Sequence, residues 1–190
     1  MGWKKAIGGV VGVGLVMTLG WLVFDTTFHL TGDYEFCTSC HSHKPIGTSY
    51  RADLHGGNNS SGWRATCSQC HISHKSSFHY LFVKGVHGVV DPTMEVLKDS
   101  YDIDWHGHRE KRAEYTFDSG CLSCHKLLAT QTLANTRAVL PHRDYFRALD
   151  NGKEVRPCVE CHEHVGHKNL GQHLEQAGWH QQDVNIIGSD

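Results

Sequence analysis

The sequence predicts a mainly α protein with extensive loops, built as one N-terminal transmembrane helix followed by a small domain. Three observations predict this. An apolar run lies near the N-terminus, one cysteine–histidine motif occurs four times, and short helical patterns alternate with loops rich in glycine and serine. Hydrophobic residues make up 39% of the 190, and the net charge of −2 excludes the basic footprint of a nucleic-acid binder. The unusual counts are 17 histidines and 8 cysteines. These are the side chains that bind metals and metal-containing cofactors.

The anchor comes first in the chain. MGWKK precedes AIGGVVGVGLVMTLGWLVF, residues 6–24, which carries no charge. At about 1.5 Å per residue such a helix reaches roughly 28 Å, close to one bilayer core. Lys4 and Lys5 precede the run and Asp25 follows it. The positive-inside rule then keeps the N-terminus in the cytoplasm and places residues 25–190 outside. A cleaved signal peptide would have a shorter apolar region followed by a small-x-small site. DTTFHLTGD follows instead, so the anchor is expected to be retained. Trp3 and Trp21 suit the two interfaces. Gly8 and Gly12 form one GxxxG, which fits either helix pairing or a glycine-rich face toward lipid.

The repeated motif is CTSCH (37–41), CSQCH (67–71), CLSCH (121–125) and CVECH (158–162). It uses every cysteine, so none remains for a disulfide. CxxCH is the attachment motif of c-type haem. Two thiols, Cys37 with Cys40, Cys67 with Cys70, Cys121 with Cys124, and Cys158 with Cys161, form thioethers to the haem. The next histidine, His41, His71, His125 or His162, becomes the proximal iron ligand. Paired zinc ribbons also use CxxC but need no histidine after the second cysteine. Four such histidines by chance is an event of below about one in ten thousand on this composition. Four covalently bound c-type haems are therefore expected. A second axial histidine for each iron is available among the others.

The order motif–His–motif appears twice, through His55 and through His142, which suggests two related haem pairs. The domain is then a small multihaem cytochrome c domain of two haem pairs, with haems supplying most of its core. The expected division is an anchor over 1–25, a tetrahaem domain over 26–173 and a tail over 174–190. VVDPTMEV reads as a helix start with Asp91 as cap and Pro92 at the first position. KLLATQTLANTRAVL (126–140) reads as a helix ended by Pro141. SSFHYLFVKGVHGVV (76–90) reads as a helix with Phe78, Leu81, Phe82, Gly85 and Val89 on one greasy face. That face packs on haem, or it lies at the membrane surface lining a quinone pocket.

An N-terminal helix followed by YEFCTSCH, GWRATCSQCHISH, CLSCHKL and CVECHEHVGHK resembles the NapC/NirT/NrfH family. These are membrane-anchored tetrahaem cytochrome c quinol dehydrogenases of the bacterial inner membrane. The resemblance covers essentially the whole chain, and GWRATC and CHxxxxHK are its most specific parts. It implies distal haem ligands at His55, His142, His167 and His74. Family members often carry methionine two residues after the first motif, and in one branch that methionine ligates the first haem. His43 stands there in this chain, so it is a candidate for that ligand or for a quinone-site group. A family lysine and acid near the first haem match Lys84 and Asp91.

The resemblance further implies oxidation of membrane quinol, with Asp91 or His43 accepting protons, Lys84 steering the ring oxygen, and electrons leaving to a periplasmic redox protein or reductase. Two other readings fit the same residues. Electrons run the opposite way, from a periplasmic oxidase such as a hydroxylamine-oxidising system into quinone. Alternatively the chain is an electron-relay anchor with no quinone site of its own. A homo-oligomer is compatible with either.

Overall fold

The computed structural model describes residues 2–131, 133, 135 and 137–179. Among these, helices account for the regular structure: α1 (Gly2–Leu30), α2 (Tyr34–Cys37), α3 (Lys44–Arg51), α4 (Cys67–His71), α5 (Ser77–Leu97) and α6 (Trp105–Glu110). They continue as α7 (Arg112–Tyr115), α8 (Asp118–Cys124), α9 (Leu128–Gln131), α10 (Val139–Asp150), α11 (Cys158–Cys161) and α12 (Leu170–Gln176). A 3₁₀ turn covers His41–His43. Among the described residues the β structure is one isolated bridge between Gly56 and Arg64.

α1 extends the apolar run in both directions and is 29 residues long with no buried residue. At about 1.5 Å per residue it measures roughly 43 Å, ample for a bilayer core with some tilt. It is long and apolar enough to cross a membrane. Its end is tied to the domain at Gly32, whose carbonyl accepts the Ser68 N–H at 3.2 Å. A Cβ at Gly32 would collide with the Ser68 hydroxyl and the Lys84 ammonium. Glycine thus lets the anchor, α4 and α5 meet at one point.

α5 differs from expectation at its start and in its middle. Ser76 caps it by accepting the His79 N–H at 3.1 Å, and the helix runs through Pro92 to Leu97. Asp91 is therefore a mid-helix residue and not a cap, and Pro92 does not open a helix. The proline forfeits the bond to the Gly88 carbonyl, normally a loss of about 3 kcal/mol. The helix nevertheless continues past it to Leu97, where the Lys98 N–H donates to the Met94 carbonyl at 2.9 Å.

The helix expected over 126–140 is also corrected. α9 stops at Gln131, residues 132, 134 and 136 lie outside the described set, and Pro141 sits in the first turn of α10. A proline there loses no intrahelical bond, since the first-turn N–H groups have no partner. Asn135 Oδ1 accepts the N–H groups of Arg137 and Ala138 at 3.0 and 3.2 Å and sets up that turn. Proline therefore opens a helix here where the sequence reading had it close one.

The side-chain core is thin. Its buried apolar members among the described residues are Tyr50, Ala65, Ile72, Val159, Leu174 and Trp179. α12 packs on α3, where the fully buried Ser49 donates to the Lys168 carbonyl at 3.1 Å. α8 packs on α4 through Gly120, where a Cβ would overlap the Gln69 carbonyl oxygen. Trp179 stacks on Trp105 with centroids 5.2 Å apart, and its carbonyl accepts the His106 Nε2–H at 3.0 Å. Packing thus continues past residue 173, where the domain was expected to give way to a tail; residues 180–190 lie outside the described set.

Candidate haem-binding site

The elements enclose a cavity of about 2240 Å³ whose wall includes all eight cysteines. Pockets for single small ligands run to about 300–1,000 Å³, so this space suits several large groups. In three motifs the cysteines share a helical turn: Cys67 and Cys70 on α4, Cys121 and Cys124 on α8, Cys158 and Cys161 on α11. Residues three apart in a helix face the same way. Both sulfurs therefore point to one side, with the histidine directly after them. The Cys37 thiol lies beside that of Cys67, and the Cys121 thiol beside that of Cys158, each neighbour lowering the pKa of the first. The motifs are thus coupled first with second and third with fourth. The Phe117 N–H donates to the Cys70 carbonyl at 3.0 Å and joins the two halves.

Three histidine pairs face each other. Ring centroids lie 6.1 Å apart for His71 and His167, 6.2 Å for His125 and His55, and 6.1 Å for His162 and His142. Two imidazoles bound on opposite sides of one metal, each nitrogen about 2.0–2.1 Å from it, have centroids roughly 6 Å apart. The spacing fits one iron between each pair.

The ring nitrogens agree. His71 Nδ1–H donates to the Tyr115 carbonyl at 2.7 Å, His142 Nδ1–H to Ala138 at 2.8 Å, and His167 Nδ1–H to Ile46 at 3.3 Å. His55 Nδ1–H donates to the Asp53 carboxylate at 3.1 Å. These acceptors have no proton to give, so each neutral ring keeps its hydrogen on Nδ1 and a lone pair on Nε2. A metal-bound histidine has this outer hydrogen bond and this tautomer. Burial lowers the pKa of His71, which is open to the cavity yet enclosed by protein, and pushes His167 down to about 4. Both are neutral near pH 7, as iron ligation requires. Among the described residues no three His, Cys, Asp or Glu side chains converge as a bare metal ion would require.

The first motif is built differently. α2 ends at Cys37, and Cys40 is extended, with φ −74° and ψ 139°. The helical relation between the cysteines and His41 is broken. His41 is exposed and is not part of the cavity wall, whereas His43 is half-buried and lines it. Burial lowers the pKa of His43. His74 lies outside the wall, with its ring 4.9 Å from Tyr80 and its buried Nε2 without a hydrogen-bond partner.

α5 lines the first-motif end of the cavity with Lys84, His87, Asp91 and Glu95. Lys84 is 8% exposed and donates to the Phe28 carbonyl near the end of α1. Burial lowers its pKa, against the Cys37 thiol, which raises it. Asp91 accepts from His87 Nδ1 at 3.1 Å. His87 and Glu95 were not picked out in the sequence. They fall at helical spacing from Lys84 and Asp91, a signal hidden by reading Asp91 as a helix boundary.

The sequence profile of the NapC/NirT cytochrome c family, N-terminal region, matches residues 2–172. The chain belongs to the NapC/NirT cytochrome c family. As a member it is a multihaem electron-transport cytochrome with covalently bound haem. It is similar to the cytochrome c-type protein TorY of Escherichia coli O157:H7, 31% identical over 157 residues, 78% of this chain and 41% of TorY. The chain thus spans about two fifths of that relative. It is also similar to the cytochrome c-type protein NapC of Escherichia coli K12, 26% identical over 176 residues, covering 87% of this chain and 84% of NapC. Among solved structures it is similar to a chain of the cytochrome c nitrite reductase NrfHA complex bound to the HQNO inhibitor. That likeness has a TM-score of 0.48 and 19% identity, and covers 78% of this chain and 92% of the other.

Proposed function

We propose that this NapC/NirT-family cytochrome oxidises membrane quinol and passes the electrons through four haems to a periplasmic redox partner. The observation that carries the reading is the meeting of three things at one end of the cavity. These are the foot of α1, the first cysteine pair, and the polar row Lys84, Asp91 and Glu95 on α5. The other side of α5 is greasy and uncovered, with Phe78 80%, Phe82 63%, Val89 69% and Val96 84% exposed. Such a face suits a helix resting on the membrane. Lys4 and Lys5 on one side of α1 support a cytoplasmic N-terminus and a periplasmic haem domain at the bacterial inner membrane.

The haems supply one-electron iron couples at fixed positions. His71 with His167, His125 with His55, and His162 with His142 would each hold one iron, and His43 would ligate the first. Lys84, already desolvated and tethered to α1, orients a quinol oxygen and favours its anionic form. Asp91 accepts the released proton, and His87, bonded to it, carries the proton toward solvent. The thin core is consistent with four haems filling the interior.

The test is quinol-dependent haem reduction by the purified protein in detergent. Reduction by quinol that is lost in Lys84→Ala and Asp91→Ala supports the reading. Undiminished reduction in both removes Lys84 and Asp91 from the site, and no quinol-dependent reduction in wild type leaves a relay anchor without its own quinone site. Haem potentials above that of the quinone pool agree with quinol oxidation, and potentials below it reverse the direction.

A further inference from the structure

Behind His43 lies a hydrogen-bonded chain that runs through a hydroxyl to a carboxylate. Ser42, 2% exposed, places its hydroxyl 3.0 Å from His43 Nδ1 and donates that hydroxyl to Glu95 Oε2. The Ser42 N–H donates to Glu95 Oε1 at 3.1 Å, so one carboxylate on α5 grips Ser42 twice. A serine hydroxyl has one hydrogen. With that hydrogen committed to Glu95, the hydroxyl can only accept from His43, which fixes the proton of His43 on Nδ1 and leaves Nε2 as a lone pair.

We infer that Glu95 is a positioning residue for the first haem. Acting through Ser42, it fixes the tautomer and direction of His43 and strengthens that imidazole as an iron ligand. The inference rests on the reading of His43 as a ligand of that haem. His71, His142 and His167 lean on neutral backbone carbonyls. His43 leans, through one hydroxyl, on a carboxylate. A carboxylate at the outer end of such a chain draws the Nδ1 proton away and makes the ring a better electron donor to the metal. It favours the ferric state and lowers the potential of the haem where electrons enter. His55 leans directly on the Asp53 carboxylate at 3.1 Å, so Glu95 gives His43, through one hydroxyl, the charged support that His71, His142 and His167 do not have.

The experiment uses the full-length, haem-loaded protein in detergent. It compares wild type, Ser42→Ala, Ser42→Thr, Glu95→Gln and His43→Ala by electron paramagnetic resonance and by optical redox titration. Glu95→Gln keeps the size while removing the charge and turning one of the two accepting oxygens into a donor, so it removes the carboxylate without opening a cavity. The expected result has three parts. The midpoint of one haem shifts upward in Glu95→Gln and Ser42→Ala, the other three are unmoved, and Ser42→Thr, which keeps the hydroxyl, returns to wild type. Wild-type midpoints and spectra in both Glu95→Gln and Ser42→Ala, with His43→Ala altering the spectrum of one haem, overturn the inference and leave His43 a ligand. An unaltered spectrum in His43→Ala instead overturns the ligand reading itself. Should Ser42→Ala fail to load haem, the partly exposed Glu95→Gln decides alone.

Discussion

The imidazoles of His71 and His167 face each other at 6.1 Å between centroids, one on α4 and the other in the loop before α12. Each has its outer nitrogen fixed by a backbone carbonyl, Tyr115 for one and Ile46 for the other. Removing His167 should leave the second haem with a single protein ligand. His167→Ala is expected to turn one low-spin haem high-spin and to let it bind carbon monoxide when reduced. His55→Ala and His142→Ala should each do the same at a different haem. Paramagnetic resonance and the carbon monoxide difference spectrum provide the check. An unchanged low-spin count in His167→Ala would remove the pairing.

The number of haems is open to a direct count. The mature chain should carry the mass of four macrocycles, and Cys121→Ala with Cys124→Ala should carry three. Mass spectrometry of the denatured protein distinguishes these, because thioether-bound haem survives unfolding.

At the quinol end, Lys84→Ala and Asp91→Ala should each slow quinol-driven reduction by about tenfold or more, ~1.4 kcal/mol of barrier. Reduction by dithionite should be unaffected, because that route needs no quinol site. Stopped-flow absorbance of the haem bands measures both.

The same lysine predicts a pH dependence. Burial lowers its pKa from 10.5, and the opposing Cys37 thiol disappears once that sulfur is a thioether. Between the lowered value and 10.5 the unfolded chain holds more protons than the folded one, so the contribution of Lys84 to stability rises with pH. Quinol-driven reduction should move the other way and fall over that window as the ammonium is lost. A rate profile that falls in wild type and is flat in Lys84→Met meets the expectation; identical profiles do not.

The far end of the domain offers a stability test. Trp179 is 5% exposed and stacks on Trp105. Trp179→Ala should cost about 3–5 kcal/mol, the usual range for emptying a buried aromatic site. Denaturant titration of the haem-loaded protein measures it. A chain ending after His173 should be weakened at least as much, since it loses Leu174 as well.

Much of this was legible in the sequence, and the rest was hidden for physical reasons. The four motifs and the anchor could be read directly, because covalent attachment and membrane crossing impose strict spacing and strict composition. Candidate ligands at His55, His142 and His167 came from family resemblance, and their partners came only from the fold, since opposition across a cavity leaves no local pattern. Pro92 and Pro141 were read as boundaries. Their neighbours reverse that meaning, as Ser76 caps α5 well upstream and Asn135 prepares the turn into α10. Glu95 left only its helical spacing from Asp91 in the sequence, and Ser42 left no trace. One sits on α5 and the other beside the first motif, and only the folded chain brings them within a hydrogen bond.

The scarcity of buried apolar side chains has a consequence for biogenesis. Six such residues among those described cannot hold a domain of this length together. Before it carries haem, the polypeptide is expected to have no stable shape of its own. Ligation of the macrocycles therefore comes before compaction, and a cell starved of iron should accumulate degraded fragments of this chain in place of an empty protein ready for loading.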